Sequence, residues 1–499
     1  MPSRPTTRWQ VSGYRFLVRR MEHALVRRDV RMLHDPMRSQ SRAYAAGLVL
    51  GIVALAGCGV LALLRPQGSI GDNKILLGKD TGQVYAVVDG VVHPALNLAS
   101  ARLAVGEPAK PATIKESELA KKPRGTLIGI PGAPSSLNFD TGGKGRAWSI
   151  CDEIKNDGSN AVTSTVIAGS PHLGEKAETL DPAKALLVQG KSSVYLIYNN
   201  QRARVDMTER AVTDALKIRG MVPRPVSEGL LNAIPEVLPI SSPKIDDPGG
   251  FPLEPVDGHR NADVVRVSSE NQFYVVLPTG LQPISPLTAD IIRNSNPTAG
   301  NSEITSYTRS RANIVNTLPV QQYPVTAPVI VETKEQPVEC LSWRPLAVAK
   351  DKTDGGMRAE LSLITGRALP IPDGAQPVQL AQAGTPGQVA QFYTTPGSGM
   401  LVQTTGIEPD SQRKDSMFFI ADTGVRYGVK DGESAKALGM DAEKATAEPA
   451  PWPIAGLLPG GPTLGRQEAM VAHDGVAPDA DPARQLVRSR QDQQSAGQN

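Results

Sequence analysis

The feature that most constrains this chain is an uninterrupted apolar segment near the N-terminus, from Ala43 to Leu64. The segment reads AYAAGLVLGIVALAGCGVLALL and contains no charged residue. A run of about 20 apolar residues spans the hydrocarbon core of a bilayer, whereas the apolar part of a secretory signal has about 7–15 residues. The segment therefore predicts a single transmembrane helix.

Within this segment, Leu55 to Cys58 reads LAGC and resembles the site at which bacterial lipoproteins are cleaved and lipidated. Lipidation at Cys58 would leave the apolar residues from Gly59 to Leu64 exposed at the new N-terminus. The basic region before the segment is also longer than that of an ordinary signal peptide. We therefore predict that Cys58 is neither cleaved nor lipidated and that the helix is retained.

Two glycines four residues apart, Gly47 and Gly51, form a GxxxG pair in the apolar segment. Such pairs let two membrane helices approach closely and promote dimers. Glycine and alanine are common in membrane helices in general, so a chance occurrence is the alternative. We expect the helix to self-associate through this pair.

The residues before the apolar segment predict its orientation. Residues 1–42 contain ten arginines and three acidic residues, and positive charge stays on the cytoplasmic side of a membrane. The N-terminus is therefore predicted to be cytoplasmic and the bulk of the chain to be exported. Apolar residues from Phe16 to Leu25 recur at helical spacing, which predicts an amphipathic helix. This helix could lie on the inner leaflet or dock a cytoplasmic partner, and the sequence leaves both possibilities open.

Charge and composition exclude some classes of protein. The 499 residues include 53 Lys and Arg against 50 Asp and Glu, a net charge of +3, which gives no general case for nucleic-acid binding. Aromatic residues are only 4%, while there are 47 Gly and 42 Pro, which favours short strands and turns over long helices. The part after the apolar segment is long enough for about two or three domains.

A hairpin-helix unit recurs four times after the apolar segment. Each copy has a strand, a tight turn, a return strand and a short helix, which Asn97 is predicted to cap in the first copy. The predicted turns are Asp89-Gly90, Asn199-Asn200, Thr279-Gly280 and Thr423-Gly424, and the aromatic residues at the matching strand position are Tyr85, Tyr195, Tyr274 and Phe418. The spacing is irregular and single hairpins are marginally stable, so we expect the copies to pack around a central element.

The central element is predicted from residues 126–167 and 339–369, which carry Cys151 and Cys340 in strand-like runs beside Trp148 and Trp343. An exported protein meets an oxidising environment, and these are the two cysteines outside the membrane segment. We predict a disulfide between them, with two buried free thiols as the alternative. Closing so long a loop contributes roughly 4–5 kcal/mol in a chain-entropy treatment.

These patterns give a β-rich α+β fold with the following predicted division. The cytoplasmic helix is predicted in residues 1–42 and the membrane helix in residues 43–64. The four repeats are predicted in residues 70–121, 180–245, 260–335 and 396–465. The two parts of the central domain are residues 122–170 and 336–395, and the tail is residues 466–499. Residues 395–414 and 245–260 have the composition of loops or linkers. The tail has few large apolar residues and is predicted to be disordered.

One stretch resembles a nucleotide-binding motif. Residues 185–192, ALLVQGKS, match a loosened phosphate-loop pattern in which Gly190, Lys191 and Ser192 would contact the phosphates. A true phosphate loop leads into a helix, whose N-terminal N–H groups bind the phosphates. The residues after Ser192 read SVYLIY and predict a strand. We therefore interpret Gly190 to Ser192 as a hairpin turn, with nucleotide binding as the alternative.

Other catalytic patterns are missing from the sequence. The six histidines show no i,i+4 pairing and no neighbouring cysteine, so no metal site is predicted. There is no G-x-S-x-G nucleophile motif, and the acidic residues are scattered as on a solvated surface. No catalytic residue and no cofactor are predicted from the residues themselves.

Several motifs in fixed order resemble the EccB family, a membrane component of mycobacterial type VII (ESX) secretion systems. The motifs are VSGYRFLVRRMEHALVRRD, HPALNLASARL, GTLIGIPGAPSSL, SEGLLNAIPEV and FIADTGVRYGV, and the resemblance extends from about Arg4 to about Glu468. It implies one membrane helix with a cytoplasmic N-terminus, and a large periplasmic part in which four repeat domains surround a disulfide-linked central domain.

The resemblance also implies partners. EccB proteins assemble with EccC, EccD and EccE, alongside the protease MycP, into a hexameric complex in the inner membrane. The chain is therefore expected to be a structural subunit that contacts the lipid bilayer, forms homo-oligomers such as dimers within that assembly, and binds no nucleic acid. Family members are also labelled ATPases, so an ATP-hydrolysing component that uses ATP and Mg²⁺ at Gly190, Lys191 and Ser192 is the alternative function.

Overall fold

This computed structural model describes the chain from residue 7 to residue 474, with gaps. The described residues are 7–28, 30–31, 36–64, 70–138, 146–254, 256, 258–267, 269–296, 301–346, 358–381, 387–440 and 447–474. The part of the predicted tail after residue 474 lies outside them.

Two helices open the chain, α1 (Arg8–Arg27) and α2 (Pro36–Leu64). The Gln10 side chain accepts a hydrogen bond from the Thr7 backbone N–H at 2.9 Å and satisfies a donor at the start of α1. Helix α2 continues through Cys58 without a break, and its segment Ser39–Leu61 is long and apolar enough to cross a membrane. The predicted transmembrane segment is thus one helix, which begins seven residues earlier than the apolar run.

The first repeat shows the path that all four repeats follow. Its elements are β1 (Ile75–Gly78), β2 (Val84–Val88), β3 (Val91–Ala95), α3 (Leu98–Val105), β4 (Ala112–Ile114), α4 (Glu116–Leu119) and β5 (Leu127–Ile128). The first three strands are antiparallel neighbours, β4 pairs parallel to β1, and β5 pairs parallel to β3. Asp89 and Gly90 take positive φ values of 50° and 79°, as the predicted tight turn requires. Asn97 caps α3 by accepting the Ser100 N–H at 2.9 Å, as predicted.

The second and third repeats follow the first part of the central sheet. That part contains β6 (Trp148–Ile154), β7 (Val162–Ala168) and β8 (Ala177–Thr179). The second repeat contains β9 (Lys184–Gln189), β10 (Val194–Tyr198), β11 (Gln201–Val205), α5 (Arg210–Ala215), β12 (Arg224–Pro225), α6 (Glu228–Ala233) and β13 (Glu236–Ile240). The third contains β14 (Val264–Val267), β15 (Gln272–Leu277), β16 (Gly280–Ile284), α7 (Pro286–Ser295), β17 (Asn301–Ile304) and α8 (Ser306–Arg311).

One predicted turn is shifted by a residue. In the third repeat, Leu277 of β15 lies opposite Gly280 of β16, and this is the last pair before the turn. The two turn residues are therefore Pro278-Thr279 and not Thr279-Gly280. Gly280 begins β16 with a φ of +143°, and a Cβ atom there would lie 2.2 Å from the Asn313 carbonyl oxygen. The glycine therefore allows a close backbone approach and does not form the turn itself.

The chain then completes the central sheet. A short strand, β18 (Val329–Ile330), joins β9 of the second repeat, and the central strands β19 (Val338–Pro345), β20 (Ala359–Gly366), β21 (Val378–Gln379) and β22 (Gln391–Tyr393) follow. The central sheet has seven strands in the order β21-β22-β7-β6-β19-β20-β8. Its strands come from two separate parts of the sequence, residues 148–179 and 338–393.

The fourth repeat begins inside a segment predicted to be a linker. It contains β23 (Met400–Thr405), β24 (Met417–Ile420), β25 (Arg426–Gly428), α9 (Gly432–Leu438), β26 (Glu448–Pro451) and α10 (Trp452–Ala455). The loop prediction for 395–414 is therefore wrong across β23. Met400 and Val402 of this strand are buried in the core beside the central sheet, and that non-local burial outweighs the polar, glycine-rich composition of the segment.

The predicted disorder of the tail is wrong for its first residues. Residues 466–473 form α11 (Arg466–Ala469) and β27 (Ala472–His473), and β27 pairs with β5 of the first repeat. Ala469 is fully buried and the Lys430 ammonium lies 2.6 Å from the Glu468 carboxylate. Short contacts to distant parts of the chain order this segment, and its composition does not reveal them.

The repeats pack in two pairs, and one repeat of each pair packs on the central sheet. In the first and fourth repeats, α3 and α9 share one core, and Arg102 donates to the Leu438 carbonyl oxygen at 2.8 Å. In the second and third repeats, α5 and α7 pack together in another core. One face of the central sheet, which includes Trp148 and Trp343, shares a core with the second and fourth repeats. The predicted β-rich α+β fold with one N-terminal apolar helix is confirmed.

Candidate functional site

The disulfide joins the two parts of the central sheet. Strands β6 and β19 pair antiparallel in a register that places Cys151 directly opposite Cys340, and the two sulfur atoms are bonded. Both cysteines are buried, on a face that they share with Ile167, Val338 and Ile364. The predicted disulfide is confirmed, and it links residues 189 positions apart in the sequence.

Two acidic residues lie next to the disulfide on the other face of the sheet. The same register places Asp152 directly opposite Glu339, and side chains alternate between the faces of a strand. Asp152 is 0% exposed and Glu339 is 1% exposed. They therefore point toward the second repeat, away from the cysteines.

The second repeat meets this pair with a cation and a backbone donor. The Nη1 atom of Arg224, at β12, lies 3.2 Å from the Glu339 Oε2 atom, and this arginine also donates to the Gln336 carbonyl oxygen. The N–H of Ser227, the N-cap residue of α6, donates to the Asp152 Oδ2 atom at 2.6 Å. We call Asp152, Glu339, Arg224 and Ser227 the polar junction.

Burial dominates the electrostatics of the polar junction. Burial raises the pKa of Asp152 to about 6, although the hydrogen bonds from Ser227 act in the opposite direction. Burial raises the pKa of Glu339 to about 8; the Arg224 charge opposes this change and the Asp152 charge adds to it. Removing one partner of a buried ion pair leaves the other charge uncompensated, at a cost of about 3–5 kcal/mol. The junction therefore fixes how the second repeat sits on the central sheet.

A second contact between the second repeat and the central sheet involves one of the predicted turns. Asn199 and Asn200 connect β10 to β11 with φ values of 47° and 60°. The Asn200 Oδ1 atom accepts a hydrogen bond from the Leu363 N–H in β20 at 2.9 Å. The turn thus both reverses the chain and binds the second repeat to the central sheet.

The phosphate-loop-like residues lie in a hairpin turn between β9 and β10. The Gly190 N–H donates to the Ser193 carbonyl oxygen at 2.9 Å, Lys191 and Ser192 are exposed, and the strand Val194–Tyr198 follows. A phosphate loop needs a helix at this point, whose N-terminal N–H groups point at the phosphates. The residues at this turn therefore do not fit a nucleotide phosphate group.

The groove beside this turn is also poorly suited to a nucleotide. It is an open groove of about 640 Å³ whose lining includes Ser192, Arg204, Asp206 and Glu209. Hydrogen bonds from Thr208 lower the pKa of Asp206 and keep that carboxylate ionised. Two acidic side chains beside one arginine would repel a triphosphate. Within the described residues, no cluster of His, Cys, Asp or Glu side chains could hold a metal ion.

Two glycines and the cysteine of the membrane helix lie along one line of its surface. Gly47 and Gly51 are one turn apart, and Cys58 follows Gly51 by seven residues, which is close to two full turns. No residue from Ser39 to Leu61 is buried within the single chain. This surface is therefore available to a second helix.

The sequence did not single out Asp152, Glu339 or Arg224, although a signal was present. Asp152 follows Cys151 directly and Glu339 precedes Cys340 directly, each within a strand that is otherwise largely apolar. If the two cysteines are bonded across antiparallel strands, these acids must also face each other. The predicted disulfide could thus have located the acidic pair.

The fold and its junctions define a membrane-anchored protein in which four β-rich repeats are held around a disulfide-linked sheet. Residues 3–478 match the protein family described as "Type VII secretion system ESX-1, transport TM domain B". The chain belongs to this family, the EccB proteins of type VII secretion, as its motifs indicated.

Curated relatives match nearly the full chain. The ESX-3 secretion system ATPase EccB3 of Mycolicibacterium smegmatis is 38% identical, over 96% of this chain and 93% of the relative. The protein of the same name from Mycobacterium tuberculosis H37Rv is 37% identical, over 96% of this chain and 91% of the relative. The ESX-1 secretion system ATPase EccB1 of that strain is 34% identical, over 97% and 98% of the two chains.

Solved structures show the same fold. A chain from an intact ESX-5 inner membrane complex superimposes with a TM-score of 0.73 at 31% identity, covering 98% of this chain and 99% of that one. A chain from the EccB3 dimer of the ESX-3 core complex gives a TM-score of 0.68 at 34% identity, covering 80% of this chain and all of that one.

Proposed function

We propose that this chain is a structural subunit of a type VII secretion complex in the inner membrane, and that its repeats hold neighbouring subunits together on the periplasmic side. The observation that carries the proposal is the superposition on a chain of an ESX-5 inner membrane complex over 98% of the present chain. The polar junction and the disulfide give the rigidity that such a scaffold needs.

The proposed orientation rests on two features. The arginine-rich segment before α2 favours a cytoplasmic N-terminus. The Cys151–Cys340 bond lies in the part that follows α2, and structural disulfides form in oxidising compartments such as the periplasm. The proposed partners are EccC, EccD and EccE, with the protease MycP alongside.

The proposal includes pairing of two copies through α2, at the face formed by Gly47 and Gly51. Cys58 lies on the same face, and the other two cysteines are bonded, so it is a natural cross-linking reporter. Oxidising the full-length protein in membranes with copper phenanthroline is expected to yield a covalent dimer. Gly51→Leu should reduce dimer formation because the larger side chain separates the helices.

The matched control for this experiment is Ala56→Leu. Ala56 lies on the opposite side of α2, so the same enlargement there should leave the cross-link unchanged. Absence of cross-linking in the unsubstituted protein, or equal loss with both variants, would overturn pairing through this face.

The scaffold proposal also requires that Lys191 have no catalytic role. Lys191→Ala should preserve secretion, and the full-length protein should bind no ATP at physiological concentrations. Gly190→Pro serves as a destabilised comparison in the same turn, since the Gly190 N–H is a hydrogen-bond donor there. Loss of secretion by a stably folded, complex-assembled Lys191→Ala protein would favour ATP hydrolysis over the scaffold proposal.

A further inference from the structure

A row of polar residues crosses the central sheet on the face that meets the second repeat. The strand registers place Ser164, Asp152, Glu339, Thr365 and Glu178 side by side, from β7 to β8. The carboxyl groups of Asp152 and Glu339 are buried, while Glu178 at the end of the row is exposed. The row therefore places two acids next to each other without access to solvent.

The charges around the buried pair do not balance. Among the described residues, Arg224 is the cation that contacts it, so two ionised carboxylates would leave one net negative charge in the interior. The facing side chains from β7 and β20 are uncharged, and α10 contains no charged residue. Glu228 of α6 is exposed, and Glu178 and Lys184 lie at the solvated edge, 3.7 Å apart.

The hydrogen bonds of the pair are also incomplete. Among the described residues, no donor reaches the Asp152 Oδ1 atom or either carboxyl oxygen of Glu339 with hydrogen-bond geometry. A buried carboxylate without donors is costly, and a proton on one carboxyl group both removes a charge and supplies a donor. We propose that Asp152 and Glu339 together hold one proton at neutral pH, and that losing it loosens the packing of the second repeat on the central sheet.

The direction of the pH response follows from the raised pKa values. The pKa of Glu339 rises from 4.5 to about 8, and that of Asp152 rises from 3.8 to about 6. At a pH between the unfolded and the folded pKa of either group, the folded protein therefore binds more protons than the unfolded chain. Stability from these groups is complete below the unfolded values and is lost as the pH rises through the folded values. The contact is tightest in acid and weakest above pH 8, where both carboxylates face a single arginine.

The first test measures thermal unfolding of the full-length protein in detergent from pH 6 to pH 9. The melting temperature of the unsubstituted protein should fall across this range, and Glu339→Gln, a neutral isostere, should remove most of the fall. Glu178→Gln is the matched control, because it neutralises the exposed acid of the same row and should leave the fall intact. An unchanged pH profile in Glu339→Gln would overturn the proposal.

The second test detects the proton directly and needs no variant. Infrared spectra of the full-length protein at pH 7 should contain the carbonyl stretch of a buried carboxylic acid, which disappears as the pH passes about 8. Amide hydrogen exchange in α6, corrected for its intrinsic pH dependence, should accelerate over the same range. Absence of a carboxylic acid band at pH 7, or a band that persists above pH 9, would overturn the shared proton even if Glu339→Gln does not fold.

Discussion

Removing the Cys151–Cys340 bond should destabilise the central sheet strongly. The two residues are 189 positions apart, and closing a loop of that length in the unfolded chain corresponds to about 5 kcal/mol in a chain-entropy treatment. The loop contains the second and third repeats, which share their own core, so residual structure there shortens the effective loop. We therefore expect the double variant Cys151→Ala, Cys340→Ala to lose about 3–5 kcal/mol.

The assay is urea unfolding of the full-length protein in detergent, followed by tryptophan fluorescence. Trp148 and Trp343 face each other in the same two strands as the bond, so they report on the central sheet. With a slope of about 3 kcal/mol/M, the midpoint should fall by roughly 1–2 M urea. Cys58→Ala, which leaves the bond intact, should not shift it. A double variant within about 1 kcal/mol of the unsubstituted protein would refute the view that the cross-link holds the two halves of the sheet together.

Two further variants test the contacts between units. Asn200→Gly keeps the positive φ of its turn but leaves the buried Leu363 N–H without its acceptor, so the free energy of unfolding in urea should fall by about 1–2 kcal/mol. The control is Asn199→Gly, at the exposed neighbouring residue, which should lower the free energy of unfolding measurably less. Equal losses in the two variants would contradict this role for Asn200. Ending the chain after Gly465 removes α11 and β27, so it should lower the melting temperature and accelerate amide exchange at Gly129, whose N–H donates to the Val471 carbonyl oxygen, whereas ending it after residue 474 should do neither.

The hairpins could be predicted because their turns are encoded locally. Asp89-Gly90 and Asn199-Asn200 are residues that accept positive φ, and the structure gives them those values. The disulfide could be predicted as well, because the part of the chain after the apolar segment has just two cysteines. In both cases, a few residues determine the outcome without knowledge of distant partners.

The parallel strands could not be predicted in the same way. The strands β4, β12, β17 and β26 have only two to four residues each and return to pair beside the first strand of their repeat. Runs this short carry no usable alternation of polar and apolar residues. Their pairing depends on the helix that precedes them and on the existing sheet edge, which are contacts between distant residues.

The polar junction escaped prediction for a related reason. An acid in a sequence usually indicates a solvated surface, and Asp152 and Glu339 lose that environment only when the second repeat covers the sheet. Their partner Arg224 is in a strand of two residues, far from both in the sequence. The junction exists only after the repeats have packed.

The central claim, that this chain is a scaffold subunit, is tested most directly by purifying it from its own membranes with a tag and imaging the particles by electron cryomicroscopy. The account predicts large particles in which copies of this chain pair, their α2 helices cross the membrane beside other type VII membrane components, and their repeats contact neighbouring subunits on the periplasmic side. Recovery of the chain as a monomer, without other type VII components, would contradict it.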